Sequence, residues 1–168
     1  MISKFLNKTN IIKIVSFFFC SSVLIFIDQL TKKLVTDYLS NGNKIIVIPN
    51  IFEMFYLANR GAAFGILQGQ RELFFVITIV VLIGLLIYLY KIPFNKKYMP
   101  LFVVLLLIFS GAIGNFIERV TKGYVVDFLY FKPINFPLFN VADSYITIAC
   151  FVLLYLLLFH YKEDELKF

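Results

Sequence analysis

The stretch LFFVITIVVLIGLLIYLY, residues 73–90, runs for eighteen residues without a charged side chain. A helix of that length rises about 27 Å, close to the roughly 30 Å hydrocarbon core of a bilayer. Backbone polar groups find no water in that core, so a spanning segment must pair them internally. The stretch therefore predicts a transmembrane α-helix and, around it, a membrane protein.

The composition of the whole chain agrees with that prediction. Of its 168 residues, 61% are hydrophobic, and the mean hydropathy is +0.88, whereas soluble proteins have about 45–50% apolar residues. The length fits one compact unit, and no Ser/Gly/Pro-rich linker, low-complexity tract or internal repeat divides it. We therefore expect a single integral-membrane domain over residues 1–168.

Three further apolar segments are long enough to cross the bilayer. Together with the first they predict an all-α membrane protein of four transmembrane helices. Lysines precede the earliest segment, as in a secretory signal, but no small-x-small cleavage site follows Ile27, which favours a retained helix. The segments are Ile14–Leu34, Leu101–Ile117 and Val141–Tyr161.

The distribution of lysine and arginine predicts the orientation. Three lie in the N-terminal tail, three in the short loop KIPFNKKYMP and two in the C-terminal tail, while the other eight are spread over two longer loops and the adjacent span ends. By the positive-inside rule, both termini and the second loop are expected in the cytoplasm. This topology explains the net charge of +6, because basic segments of a membrane protein face lipid head groups. Membrane lipids are therefore expected as partners, and no nucleic acid is needed to explain the charge.

Polar residues at the outer ends of three predicted helices would then lie at one level. Charges cost about 2.5–3.5 kcal/mol each near the bilayer centre and less toward the interface, so a group of them at one level suggests a shared site. They are Asp28 and Lys32 on the first helix, Asn115, Glu118 and Arg119 on the third, and Asn140 and Asp143 on the fourth.

Each of these residues also has a structural interpretation. Asp28 and Lys32 have the i, i+4 spacing of a helix-surface ion pair worth a few tenths of a kcal/mol, and taken alone that interpretation is favoured. Asn140 and Asp143 suit the N-cap and N3 positions of the fourth helix. For Asn140, capping and site-building are equally favoured and are compatible with each other.

The third helix has alternatives of its own. Asn115 and Arg119 fit an interfacial anchor, with the arginine head among lipid phosphates. Gly111 and Gly114 lie inside the apolar helix, where small residues usually allow another helix to approach closely. A ligand groove beside these glycines is the sharper alternative.

Two other segments are strand-like. The stretches KIIVI and IFEMFYL lie on either side of Pro49 and Asn50, and the segment NRGAAFGIL follows them at residues 59–67. The β-branched and aromatic stretches predict a short β-hairpin or small sheet on the outer membrane surface. In GYVVDFLYF, Asp127 is the only charge and lies sixteen residues before Asp143. A lone acid among valine and phenylalanine rarely serves packing, so Asp127 is a functional candidate.

In this order the motifs resemble those of the lipoprotein signal peptidase family, also called signal peptidase II, the aspartyl proteases of bacterial membranes. The family's D-x-x-[ST]-K is matched by DQLTK, its N-x-G-x-A-[FW] by NRGAAF and its G-N-x-x-D-R by GNFIER. Its V-x-D-F is matched by VVDF and its F-N-x-A-D-S by FNVADS. The resemblance covers most of the chain, and five motifs in family order between four spans make it specific.

The resemblance implies a set of site residues. It assigns the catalytic pair to Asp127 and Asp143. Two departures from the family pattern are Glu118, where Asp is usual, and Ser110, where a second glycine is common; neither falls on the catalytic pair, so they bear on local packing. The positions that match the active site or its support are Asp28, Lys32, Asn59, Gly61, Ala63, Asn115, Arg119, Asn140 and Ala142.

The resemblance further implies cleavage of prolipoproteins immediately before a diacylglyceryl-modified cysteine, near the extracytoplasmic face of the bacterial inner membrane. Inhibition by the cyclic peptide globomycin is implied as well, and no metal or cofactor is expected. Two close carboxylates share one proton, so one can act as general base on water while the other donates to the scissile carbonyl. Because a helix N-terminus favours an anion, Asp143 is interpreted as the base and Asp127 as the acid.

Other chemistries lack the residues they need. The only histidine, His160, lies at the predicted cytoplasmic end of the fourth helix, away from any outer-face Ser-His pair or zinc site. Cys20 and Cys150 fall at different depths in the bilayer, which argues against a disulfide. A proton-coupled carrier would hold its acids near the midplane. A non-catalytic scaffold would use the aspartates as caps, and an Asp→Asn change would distinguish it from an enzyme.

Overall fold

Four long helices dominate the computed structural model, which describes residues 8–61 and 70–167. All four are long and apolar enough to cross a membrane, which confirms the four predicted spans. The first helix extends beyond its predicted bounds at both ends, because polar residues can continue a helix past the apolar run. The helices are α1 (Lys8–Leu39), α2 (Arg71–Lys91), α3 (Met99–Thr121) and α4 (Val141–Tyr155), the last continuing in a π-helical turn (Leu156–His160).

Helix α3 is central and packs against each of the other three helices. Its side chains form much of a buried apolar cluster, in which Phe17 of α1 makes edge-to-face contacts with Phe102 and Phe109 of α3. Most other large apolar side chains of the helices face outward, as expected for surfaces that contact lipid. The helix packing therefore fixes the outer end of α3 relative to α1 and α4.

A three-stranded antiparallel sheet lies between the helices in sequence and confirms the predicted small sheet. Its strands are β1 (Lys44–Ile48), β2 (Phe52–Asn59) and β3 (Val125–Phe131), in the spatial order β1-β2-β3. Asn50, with φ of 61°, forms the turn between β1 and β2. In the β2–β3 pairing Asp127 is opposite Leu57, so the sheet carries the aspartate of the VVDF motif beside the end of β2.

Candidate active site

Asp127 is a buried carboxylate on β3, with 2% of its surface exposed. Its Oδ2 accepts a hydrogen bond from the side-chain amide of Asn59 at 2.6 Å, and its Oδ1 accepts one from the side-chain amide of Asn140 at 2.7 Å. Each carboxylate oxygen has about two acceptor positions, so both oxygens keep capacity for another partner. The two amides thus fix the side chain from two sides, and both oxygens can still accept a further hydrogen bond.

Asp143 occupies the N3 position of α4, as the sequence predicts. Asn140 caps the helix by accepting from the Asp143 backbone N–H at 3.0 Å, while Asp143 Oδ2 accepts from the Asn140 backbone N–H at 3.1 Å. Asp143 Oδ1 accepts from the Asn115 side-chain amide at 2.7 Å. The capping role is therefore confirmed, and it leaves the carboxylate bound to α3 as well as to its own helix.

Asn140 joins the two aspartates. Its side-chain amide donates to Asp127, its backbone N–H donates to Asp143, and the same side chain donates to Asn115 Oδ1 at 3.1 Å. The residue is completely buried, and an unpaired amide there would cost about 1–3 kcal/mol. One residue thus caps α4 and contacts both aspartates.

Both aspartates line a single cavity of about 550 Å³, a size typical of ligand pockets. Burial is the largest cause that raises the pKa of Asp127, to about 6, and the charge of Asp143 is the second. The hydrogen bonds from Asn59 and Asn140 act in the opposite direction and lower this pKa. A carboxyl group with such a pKa holds a proton more readily than a free aspartic acid. The pair is therefore suited to sharing one proton.

Lys32 is buried among acceptors from two helices. Its Nζ lies 2.9 Å from Asp28 Oδ2, 3.5 Å from Glu118 Oε2 and 2.8 Å from Asn115 Oδ1. Only 1% of the Lys32 side chain and none of the Asp28 side chain are exposed. The favoured interpretation of these two residues as a surface ion pair is therefore wrong: the pair forms, but inside the protein, because α3 and α4 cover that face of α1.

Asp28 also holds the start of α4. Its Oδ1 accepts a hydrogen bond from the backbone N–H of Ala142 at 2.9 Å. Ala142 is fully buried and presents its backbone to this contact. Both residues therefore support the segment that carries Asp143, without lining the cavity among the residues that the structure describes.

Glycines make this approach of three helices possible. A Cβ on Gly114 would lie 2.6 Å from Asp28 Oδ2, and a Cβ on Gly111 would lie 2.5 Å from the carbonyl oxygen of Ala142. Both separations are too short for real atoms. Close packing is thus confirmed for both glycines, and neither borders the cavity in the described part of the chain.

Arg119 lines the cavity on the α3 side. Its guanidinium lies 4.7 Å from the ring centroid of Phe74 on α2, and its Nη2 contacts the carbonyl oxygen of Gly61 at 3.5 Å. Gly61 itself donates its N–H to Asn59 Oδ1 at 2.9 Å. The guanidinium thus contacts protein groups at the cavity, which differs from the interpretation of Arg119 as an interfacial anchor among lipid phosphates. Ala63, the remaining site prediction, lies outside the described residues.

The two departures from the family pattern are both buried and both bonded. Glu118 accepts from the Val126 backbone N–H at 2.9 Å and from Lys122 Nζ at 2.7 Å. Ser110 donates to the Leu106 carbonyl oxygen at 2.7 Å. Local packing thus accommodates each of them.

The cavity has an apolar wall that motif reasoning did not identify. It combines the segment before α4 with one face of that helix, and of its residues only Phe139 and Ser144 lie in the FNVADS motif. The other six residues carry no charge and lie outside the motifs, so the motifs do not mark them. The wall consists of Phe136, Pro137, Leu138, Phe139, Ser144, Ile146, Thr147 and Ile148.

The His, Cys, Asp and Glu side chains of the described residues bear on two other kinds of site, metal centres and disulfides. Among them, no group of three or more His, Cys, Asp or Glu side chains is arranged to hold a metal ion. Cys20 and Cys150 are both free, in agreement with the prediction against a disulfide. In the described part of the chain, the polar side chains that line the cavity are two carboxylates, one guanidinium, the amides of Asn59 and Asn115 and the hydroxyls of Ser144 and Thr147.

Known proteins resemble this chain over most of its length. Residues 20–159 match the family model described as signal peptidase (SPase) II. The lipoprotein signal peptidase of Streptococcus pneumoniae R6 is 47% identical over 142 residues, 84% of this chain and 90% of that protein, and that of Brevibacillus brevis is 44% identical over 138 residues, 82% and 91%. A bacterial membrane enzyme solved in meso at 2.3 Å superimposes with a TM-score of 0.79 and 36% identity, covering 89% of this chain and 93% of that one.

Proposed function

The chain belongs to the signal peptidase II family, membrane proteases that remove signal peptides from prolipoproteins, and from that premise we propose that Asp127 and Asp143 are its catalytic pair. The observation that supports this proposal most directly is that Asn140 donates hydrogen bonds to both carboxylates, and that both carboxylates line one cavity. Two carboxylates held in this way favour a single shared proton, which is the arrangement that acid–base hydrolysis needs.

In the proposed mechanism, Asp143 is the base and Asp127 the acid. Asp143, at the positive end of the α4 dipole, takes a proton from water, whose oxygen attacks the scissile carbonyl carbon. Asp127 gives its proton to the carbonyl oxygen. As the tetrahedral intermediate collapses, Asp143 protonates the leaving amine and Asp127 recovers a proton from the hydroxyl group, so the pair returns to its starting state.

The proposed substrate is a prolipoprotein cut immediately before a cysteine that carries a diacylglyceryl group. The wall of phenylalanine, leucine and isoleucine beside the aspartates suits acyl chains and an apolar signal sequence. Arg119, held by the Phe74 ring on the opposite side, supplies hydrogen-bond donors for a peptide carbonyl. Globomycin is proposed to bind in the same cavity.

The proposed setting is the bacterial inner membrane, with the cavity near the extracytoplasmic face. The lysines of the two termini and of the α2–α3 loop support a cytoplasmic location for those segments. Asp127, Asp143, Asn115 and Lys32 then belong to the opposite side. A carrier would instead be expected to hold its acids at the midplane.

The test is cleavage of a purified diacylglyceryl-modified prolipoprotein by the purified enzyme in detergent–lipid micelles. Mass spectrometry should show a cut before the modified cysteine, at a rate unchanged by EDTA. Asp127→Asn and Asp143→Asn should abolish the product, whereas Asp37→Asn, a control at an exposed aspartate of α1, should cleave like the parent. Loss of activity with EDTA and recovery with zinc would mean that the carboxylates hold a metal.

A further inference from the structure

Glu118 is a buried acid that the proposed chemistry does not use. Only 1% of its side chain is exposed, and in the described part of the chain it lies outside the cavity lining. Its Oε2 accepts from the Val126 backbone N–H at 2.9 Å and lies 3.5 Å from Lys32 Nζ, and its Oε1 binds Lys122 Nζ at 2.7 Å. Burying a carboxylate costs desolvation free energy even when it has partners, so the position of Glu118 calls for a role that its contacts serve.

Two short paths lead from Glu118 to the aspartates. Val126 immediately precedes Asp127, so the bond to its N–H holds the strand against α3 at the residue next to the proposed acid. On the other side, Lys32 links Glu118 to Asn115 Oδ1 at 2.8 Å, and the Asn115 amide donates to Asp143 at 2.7 Å. One side chain thereby contacts supports of both members of the pair.

We propose that Glu118 is a positioning residue that sets the placement of Asp127 relative to Asp143 and balances the charge of Lys32 beside them. The proposal rests on the catalytic pair proposed above. Without the Glu118 charge, the cluster of Lys32, Lys122, Asp28 and Glu118 would lose one of its two negative charges. The resulting excess of positive charge would favour the anionic form of Asp127. Asp127 also faces Asp143 and Arg119, and the other ionisable groups around Glu118 are Lys32 on α1, Tyr56 on β2, and Arg119 and Lys122 on α3.

The test compares the pH dependence of cleavage in the parent and in Glu118→Gln. Glutamine keeps the shape and can still accept from Val126, but it removes the charge that balances Lys32. We expect kcat to fall about tenfold or more, because Lys32 loses an ionic partner and holds Asn115, and through it Asp143, less firmly, and small misplacements of catalytic groups are costly. KM should stay within about twofold, since Glu118 does not line the cavity. The alkaline limb of the profile should move to lower pH, because Asp127 loses its proton more easily.

Two further variants separate positioning from general stability. Glu118→Asp keeps the charge but shortens the reach to Val126, so kcat should fall through the loss of the strand contact alone, while the alkaline limb stays where it is in the parent. Glu53→Gln is a matched control, because Glu53 is also buried and bound to two lysines, yet lies on β2 away from the aspartates. It should match the parent in kcat, KM and pH profile.

The outcomes are distinguishable. Parent-like kcat and pH profile in Glu118→Gln would overturn the positioning role, as would an equal loss of kcat in Glu53→Gln. If Glu118→Gln does not fold, an alkaline limb in Glu118→Asp that differs from the parent's would overturn the charge-balancing role. Turnover by Asp127→Asn in the same assay would instead refute the catalytic pair, whatever the Glu118 variants do.

Discussion

Replacing Lys32 with methionine is expected to cost about 3–5 kcal/mol of unfolding free energy, because removing one partner of a buried ion pair leaves an uncompensated charge. The lysine and both of its carboxylate partners, Asp28 and Glu118, are at most 1% exposed. An exposed i, i+4 pair would be worth only about 0.3–0.5 kcal/mol. The measurement therefore separates the buried arrangement from the surface pair that the spacing favours.

The remaining contacts set the expected value within that range. Without Lys32, Asp28 keeps the Ala142 N–H and the Gln29 amide, while Glu118 keeps its bonds to Lys122 and a backbone N–H. These donors favour the lower end, about 3 kcal/mol. In the double variant Asp28→Asn/Lys32→Met, both members of the pair are neutral, so its cost should fall short of the sum of the two single costs by about 2 kcal/mol or more.

The assay is reversible unfolding in mixed micelles with SDS as denaturant. The chain has ten tyrosines and no tryptophan, so far-ultraviolet circular dichroism and tyrosine fluorescence are the suitable probes. Lys97→Met is the control, because the Lys97–Glu165 pair is 49% and 28% exposed, so solvent screens it and it should contribute far less to stability than the buried pair. If Lys32→Met costs no more than Lys97→Met, the buried network does not stabilise the protein as argued.

Three other results are expected. Gly114→Ala should cost about 1–3 kcal/mol by overpacking, because its Cβ would lie 2.6 Å from a carboxylate oxygen of Asp28. Gly84→Ala should cost nothing, because outside its own helix backbone and chain neighbours no atom lies within 4 Å of the added Cβ. Equal stabilities would contradict the close packing. Burial and the neighbouring carboxylate raise the pKa of Asp127 to about 6, so its protonated fraction, and with it kcat/KM, should fall as pH rises through that value. A kcat/KM that keeps rising to pH 9 would exclude Asp127 as the acid. Reporter fusions should place the C-terminus in the cytoplasm and the loop at Gly42 outside, and an external C-terminus would invert the proposed topology.

The helices could be predicted from the sequence because a bilayer constrains each spanning segment separately. Length and absence of charge identify such a segment without knowledge of its neighbours. The helix ends were less predictable: α1 runs from Lys8 to Leu39, beyond the apolar core, since hydropathy reports contact with lipid and a helix can continue outside it. The hairpin was predictable because its β-branched stretches and its turn at Asn50 are local signals.

The partners of the site residues were only partly predictable. The capping box of Asn140 and Asp143 depends on a spacing of three residues, which is visible in the sequence. The contact between Asp28 and the Ala142 N–H joins residues 114 positions apart, and no local pattern encodes it. The same holds for Glu118, whose bond to Val126 depends on how β3 crosses the end of α3. Tertiary packing decides these contacts.

The most direct test of the catalytic pair is the cleavage rate of Asp127→Asn, Asp143→Asn and the double variant on a diacylglyceryl-modified prolipoprotein. If the two carboxylates act as one acid–base unit, as proposed, each single variant should lose turnover to background, and the double variant should be no slower than either. All three should remain folded in micelles. If either single variant keeps substantial turnover with parent-like thermal stability, Asp127 and Asp143 are not a catalytic pair, and Asp143 is only the cap of its helix.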